Sequence, residues 1–256
     1  MYYTKINFKP IKKIKDADAA EDHLWCYFSS LYKEGQIYRE YEVVKTDEGY
    51  EAYFTMPEKD SLDGKYSNKY AHESLQKLKE LFTVGELTII GENLGSLEVC
   101  QCENPPWYKL YTVSFIESSP VICGECNKGI PLYKLPKIPI HGVISSDKTE
   151  DEYHQILSWQ TNYKCIDRLW FLSNFDRYTY RQMNNPQSLL SQQGLRIRNE
   201  LEKVCGKPVY YFLFQWNNSF KSRKTCPICG ENWTLPEKIA DVSFKCDKCK
   251  LVSNIA

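Results

Sequence analysis

Eight of the eleven cysteines in this 256-residue chain come in close pairs. Cys226-Pro227-Ile228-Cys229 is followed, after sixteen intervening residues, by Cys246-Asp247-Lys248-Cys249. Tetrahedral zinc takes four thiolates at about 2.3 Å, and a Cys-x-x-Cys turn delivers two of them from one tight knuckle. Two knuckles therefore complete a site. The residues between them suit an out-and-back hairpin, with Trp233-Thr234-Leu235 and Val242-Ser243-Phe244-Lys245 as its strands. Gly230 permits the positive φ that a knuckle requires, and Lys250 stands at the corresponding place in the second knuckle. A segment of roughly thirty residues has too little core to fold alone, so metal binding is its source of folding energy.

Cys100-Gln101-Cys102 and Cys123-Gly124-Glu125-Cys126, twenty residues apart, offer a second four-thiol set. Cys-x-Cys is a less usual source of zinc ligands, and a redox pair or two buried structural cysteines are the alternatives. Mixed pairing of Cys123 and Cys126 with the last knuckles is a further arrangement. Closing a loop of about a hundred residues instead of sixteen costs only about 1.5 kcal/mol more, against about 10–16 kcal/mol for structural zinc. Entropy does not choose between them, whereas locality favours two separate sites. Cys26, Cys165 and Cys205 stand alone on predicted helices and read as small buried apolar residues.

Catalysis finds little support. A catalytic zinc keeps an open position and is held mostly by histidine and carboxylate, and four-cysteine sites are closed. The four histidines, at 23, 72, 141 and 154, have no metal-ligand spacing. Glu150, Asp151 and Glu152 suit the positive end of a helix better than a pair of catalytic acids. Phosphate-loop, dinucleotide and nucleophile-elbow motifs are missing. The expectation is a protein that is not an enzyme and has no small-molecule substrate.

The elements that position the cysteines fall into an α+β chain. Tyr2, Thr4, Ile6 and Phe8 alternate in a strand that Pro10 ends. A helix follows, capped by Asp16 or Asp18, with Leu24, Trp25, Phe28 and Leu31 as its stripe before Gly35. Tyr38 to Lys45 and Tyr50 to Met56 form a hairpin across Thr46-Asp47-Glu48-Gly49. Ser67 or Asn68 opens a second helix bearing Leu75, Leu78, Leu81 and Phe82, and Leu87 to Ile90 is a final strand. This β-α-β-β-α-β order predicts a ferredoxin-like domain over residues 1–95. Residues 96–148 form a cysteine- and proline-rich loop segment. Residues 149–220 hold a long helix with the stripe Ile156, Trp159, Tyr163, Ile166 and Trp170. A second helix there starts at Pro186 and carries Leu189, Leu190, Leu195, Leu201 and Val204 up to Gly206, before a buried strand from Val209 to Trp216. Asn217 to Lys224 reads as a linker, and residues 221–256 form the C-terminal zinc ribbon.

Composition narrows the setting. Mean hydropathy is −0.53, and no apolar run approaches the length of a membrane span. The N-terminus has no secretory signal pattern, and paired cysteines in a reducing compartment point to metal. A cytoplasmic protein with no membrane partner is expected. The 33 basic and 33 acidic residues are unevenly spread: residues 1–95 carry net −4 and residues 221–256 carry +3. Four thiolates with one Zn²⁺ bring −2, leaving the ribbon near +1. Lys221, Arg223, Lys224, Lys245, Lys248 and Lys250 are the candidate nucleic-acid contacts, a thin supply for duplex binding. Tyr210, Tyr211, Phe212, Phe214, Trp216 and Trp233 would stack single-stranded bases if exposed.

The C-terminal part resembles a family of bacterial zinc-ribbon-containing proteins of unknown function to which nucleic-acid binding has been ascribed. The resemblance rests on Cys226-Pro227-x-Cys229-Gly230-x-x-Trp233, Phe244-Lys245-Cys246-Asp247-x-Cys249, the closing Leu251-Val252-Ser253-Asn254, and Cys123-x-x-Cys126 with Pro131-Leu132-Tyr133. It spans about residues 97–256 and implies a bacterial, cytosolic, zinc-binding, non-enzymatic protein. Two functions follow as expectations: a nucleic-acid-binding accessory protein working through the ribbon, or a protein-binding module such as an immunity protein that neutralises a toxin. An aromatic-rich, charge-balanced chain suits the second.

Overall fold

A computed structural model describes residues 1–14, 16–38, 41–92, 95, 97–139, 153–216 and 224–254. These form two compact units, one of residues 1–99 with 131–133, the other of 100–130 with 134–256. The chain is a mixed α+β protein with two sheets. His141, the Glu150 to Glu152 cluster, and the linker residues Lys221 and Arg223 lie outside the described residues.

In the first unit, β1 (Tyr2–Pro10) pairs antiparallel with β3 (Gly49–Met56), which pairs with β2 (Glu42–Thr46). Strands β4 (Phe82–Val84) and β5 (Thr88–Glu92) both pair antiparallel with β1, giving the order β2-β3-β1-β4 with β5 also on β1. Alternation along β1 buries Thr4, Ile6 and Phe8, as their spacing predicts. Helices α1 (Ala17–Lys33) and α2 (Lys69–Leu81) supply Leu24, Phe28, Leu31, Ala71 and Leu78 to the same core as Phe54 and Phe82. Asp16 and Asn68 cap them, accepting from the N–H groups of Ala19 at 3.0 Å and Ala71 at 2.9 Å. Three expectations shift. Trp25 is half exposed against Tyr41, Phe82 opens β4 instead of closing α2, and the hairpin begins at Glu42, not Tyr38.

The second unit is built on a six-stranded sheet. Its strands are β6 (Tyr108–Leu110), β7 (Val121–Cys123), β8 (Val209–Phe212), β9 (Thr234–Ile239), β10 (Val242–Cys246) and β11 (Leu251–Ser253), in the order β7-β6-β8-β11-β10-β9. Strand β8 lies between β6 and β11, parallel to both. Segments 96–148, 149–220 and 221–256 therefore all contribute strands to one sheet. Helix α3 (His154–Phe171) buries Ile156, Trp159 and Tyr163, and α5 (Leu189–Cys205) buries Leu190, Gly194, Ile197 and Leu201. Trp159 meets Tyr211 of β8 edge-on, with ring centroids 6.0 Å apart. Gly194 leaves room for that tyrosine, since a Cβ there would lie 2.2 Å from its ring. Of the residues expected to form the α5 stripe, Leu190 and Leu201 are buried, Leu195 and Val204 are half-buried, and Leu189 is exposed. Helix α4 (Asp176–Asn184), absent from the expectation, lies between them. Cys26 and Cys165 are exposed and Cys205 is half-buried, so these three are not core residues. None of them forms a disulfide.

Candidate metal centres

The eight paired cysteines gather into two separate clusters. Cys226, Cys229, Cys246 and Cys249 form one, and Cys100, Cys102, Cys123 and Cys126 the other, with the sulfur atoms of each set within 4.8 Å of one another. Mixed pairing between the modules is not formed. A tetrahedron of sulfurs at about 2.3 Å from its centre has edges of about 3.8 Å. The Cys229 and Cys246 sulfurs are 3.7 Å apart, Cys126 and Cys100 3.5 Å, and Cys123 and Cys102 4.0 Å. Both sets fit a metal ion such as zinc, including the Cys-x-Cys set, whose spacing alone was ambiguous.

Backbone geometry explains why the thiols converge. In the first knuckle Cys123 N–H donates to Lys128 O at 2.9 Å, and Asn127 N–H to Cys123 O at 3.1 Å. The knuckle at Cys226 repeats both bonds, to Glu231 O at 2.7 Å and from Gly230 N–H at 2.9 Å. Each turn closes with a residue at positive φ: Asn127 at 60°, Gly230 at 77° and, in the third knuckle, Lys250 at 53°. Glycine is thus used once, and side chains bear the left-handed conformation twice. Cys100 joins its knuckle through Cys100 N–H to Gly129 O at 2.8 Å.

The same backbone tunes the thiols. The Glu231 N–H holds the Cys229 thiol below its ordinary range. At Cys126 burial pushes upward, but the Lys128 N–H and neighbouring thiols outweigh it and the net direction is down. Burial drives Cys100, Cys246 and Cys249 up, and Cys102 is raised to about 11, chiefly by its hydrogen bond with Cys126. A cation in the centre removes that conflict by taking all four sulfurs as thiolates.

Around the clusters the cations are already engaged. Lys245 pairs with Asp247, and its Nζ lies 4.5 Å from the centre of the Tyr210 ring. Lys248 pairs with Glu231 at 2.6 Å, and Lys250 lies over Tyr210 at 5.2 Å. Of the six proposed nucleic-acid contacts, Lys224 is exposed, and Lys221 and Arg223 fall outside the described residues. Tyr210, Tyr211, Phe212 and Trp233 are buried, so they offer no stacking platform, and Trp216 is half exposed. Sequence reading missed Lys109, fully buried on β6 and paired with Asp241 Oδ1 at 2.5 Å. It also missed Trp107, whose ring fills the space beside Gly124. The alternation Trp107, Lys109, Tyr111 was the available signal, hidden by the unexpected charge.

Fold and sites together define a two-unit α+β protein carrying paired four-cysteine sites. An uncharacterized protein of Haemophilus influenzae is 33% identical over 206 residues, covering 78% of this chain and 75% of that protein. A second uncharacterized protein of the same organism is 34% identical over 173 residues, covering 66% of this chain and 80% of its own length. The chain belongs to the family of these Haemophilus proteins. Three family descriptions match along it: Domain of unknown function (DUF8589) over residues 1–90, Domain of unknown function (DUF2310) over 102–214, and Domain of unknown function (DUF8594) over 217–256. The last contains Cys226, Cys229, Cys246 and Cys249, and the middle one begins at Cys102.

Proposed function

We propose that this is a cytoplasmic bacterial zinc protein without enzymatic activity, carrying two structural zinc ions that hold together a module for binding another protein. The observation that carries the reading is the pair of closed four-thiol sets with edges near those of a zinc tetrahedron. Such sites leave no position for water or substrate. A protein partner is favoured over nucleic acid because Lys245 and Lys248 are paired with carboxylates and the candidate stacking rings are buried. The turn from α3 to α4 instead exposes Phe171, Leu172, Phe175 and Tyr178, residue types that anchor protein interfaces. A toxin neutralised by this chain as an immunity protein is one such partner. The N-terminal unit is assigned a ferredoxin-like arrangement, supported by its element order and by the strand order β2-β3-β1-β4. Metal analysis of the purified full chain is the test, with two zinc ions per chain expected. Iron, or no metal, overturns it. Salt-sensitive retention on single-stranded DNA at about 50 mM salt would transfer the function to nucleic acid.

A further inference from the structure

We infer that the two metal sites are thermodynamically coupled, so that metal at either one raises the affinity of the other. The inference rests on the zinc reading above and concerns how its two sites depend on one another. Neither thiol set closes a module of its own. Cys123 ends β7 and Cys246 ends β10, and both strands belong to the sheet in which β8 is an interior strand, between β6 and β11. Tyr211 of β8 pairs with Leu110 on one side and Leu251 on the other, so each module supplies half of the hydrogen-bonding environment of the same strand.

Two sets of side chains cross that strand. Lys109, from the first module, finds its carboxylate in Asp241, at the turn between β9 and β10 of the second. With its side chain 1% exposed, Lys109 without Asp241 would be a buried, unpaired cation. Independently, Gly124 in the first knuckle admits the Trp107 ring, which meets Tyr210 edge-on at 5.1 Å. The Tyr210 hydroxyl donates to Asp247, which lies inside the third knuckle, and Lys245 covers both the Tyr210 and Trp107 rings. The contacts thus run from one knuckle to the other without a break. Metal binding to such short segments is coupled to folding, and a ligand that binds only the folded form stabilises everything that folds with it. Because the folded form here is one shared sheet, the coupling is positive and reciprocal.

The test is a zinc titration of the reduced, metal-free full chain against a chromophoric chelator, with Trp fluorescence as the structural readout. The overall constant for two zinc ions is compared with the product of the single-site constants, measured on a Cys226→Ser/Cys229→Ser chain and a Cys100→Ser/Cys102→Ser chain. The expected excess is about 5–150-fold. If either serine chain fails to fold, Asp241→Asn decides the matter, because it retains all eight ligands and touches neither set. It is expected to bind two zinc ions with an overall constant at least fivefold lower. An overall constant equal to the product, or one unaltered by Asp241→Asn, overturns the coupling while leaving zinc binding intact. Failure of the wild-type chain to take up zinc overturns instead the reading on which it rests.

Discussion

A phenol buried away from water is easy to keep neutral and costly to ionise. Burial pushes Tyr27 in α1 and Tyr211 in β8 each up to about 12, from an ordinary value near 10. Between those values the unfolded chain has released the proton and the native chain has not. Native stability is therefore full below pH 10 and falls as pH rises toward 12, by about 3 kcal/mol for each tyrosine. Urea unfolding at pH 9, 10 and 11 should show the decline, and Tyr27→Phe or Tyr211→Phe should flatten its share; equal slopes would exclude these phenols as the cause. Glycine 124 makes a second claim at this scale. A Cβ there would lie 2.1 Å from the Trp107 ring, so Gly124→Ala should cost about 1–3 kcal/mol and release bound metal from the Cys100/Cys102/Cys123/Cys126 cluster at lower chelator concentration. Gly91 has no atom within 4 Å of such a Cβ, and Gly91→Ala should stay within about 0.5 kcal/mol of wild type.

Among the elements, those with a local chemical signature were legible in the sequence. Asp16 and Asn68 stand at helix starts because their short side chains reach orphan N–H groups. Asp16→Ala should cost about 1 kcal/mol in denaturant unfolding, whereas Asp18→Ala, one residue inside α1, should cost less. The knuckles were legible for the same reason, since four thiols at fixed spacing admit few other uses. What failed was whatever depends on distant partners. Helix α4 buries only Thr179 and Met183, so it has no apolar stripe to read. In α5 the inward row includes Gly194, which no hydrophobic pattern counts; its place is set by Tyr211 and Trp159, the latter some thirty-five residues away. The parallel insertion of β8 joins it to β6, about a hundred positions earlier, and to β11, about forty later, and parallel pairing leaves no turn motif in the chain. The lone cysteines misled for a different reason. Cysteine is buried often enough for a helix position to suggest it, yet Cys26 and Cys165 sit on outward faces.

For the whole molecule the units differ in what holds them. The first has a continuous core from both helices and its own sheet, running through Phe8, Phe28, Phe54, Met56 and Phe82, and contains neither thiol cluster. In the second, β6, β7 and β11 are three residues each, at the short end of strand length, and β7 and β10 end in the cluster cysteines Cys123 and Cys246. Chelation should therefore act selectively. On adding a strong chelator with a reductant, backbone amides of β6, β7, β10 and β11 should lose protection from hydrogen exchange. Those of β1 and β3 should keep theirs. Loss of protection in both units at one chelator concentration would show that the first unit does not stand on its own core. Retention in both would show that the thiol clusters do not sustain the second sheet, and metal would then be a passenger instead of its staple.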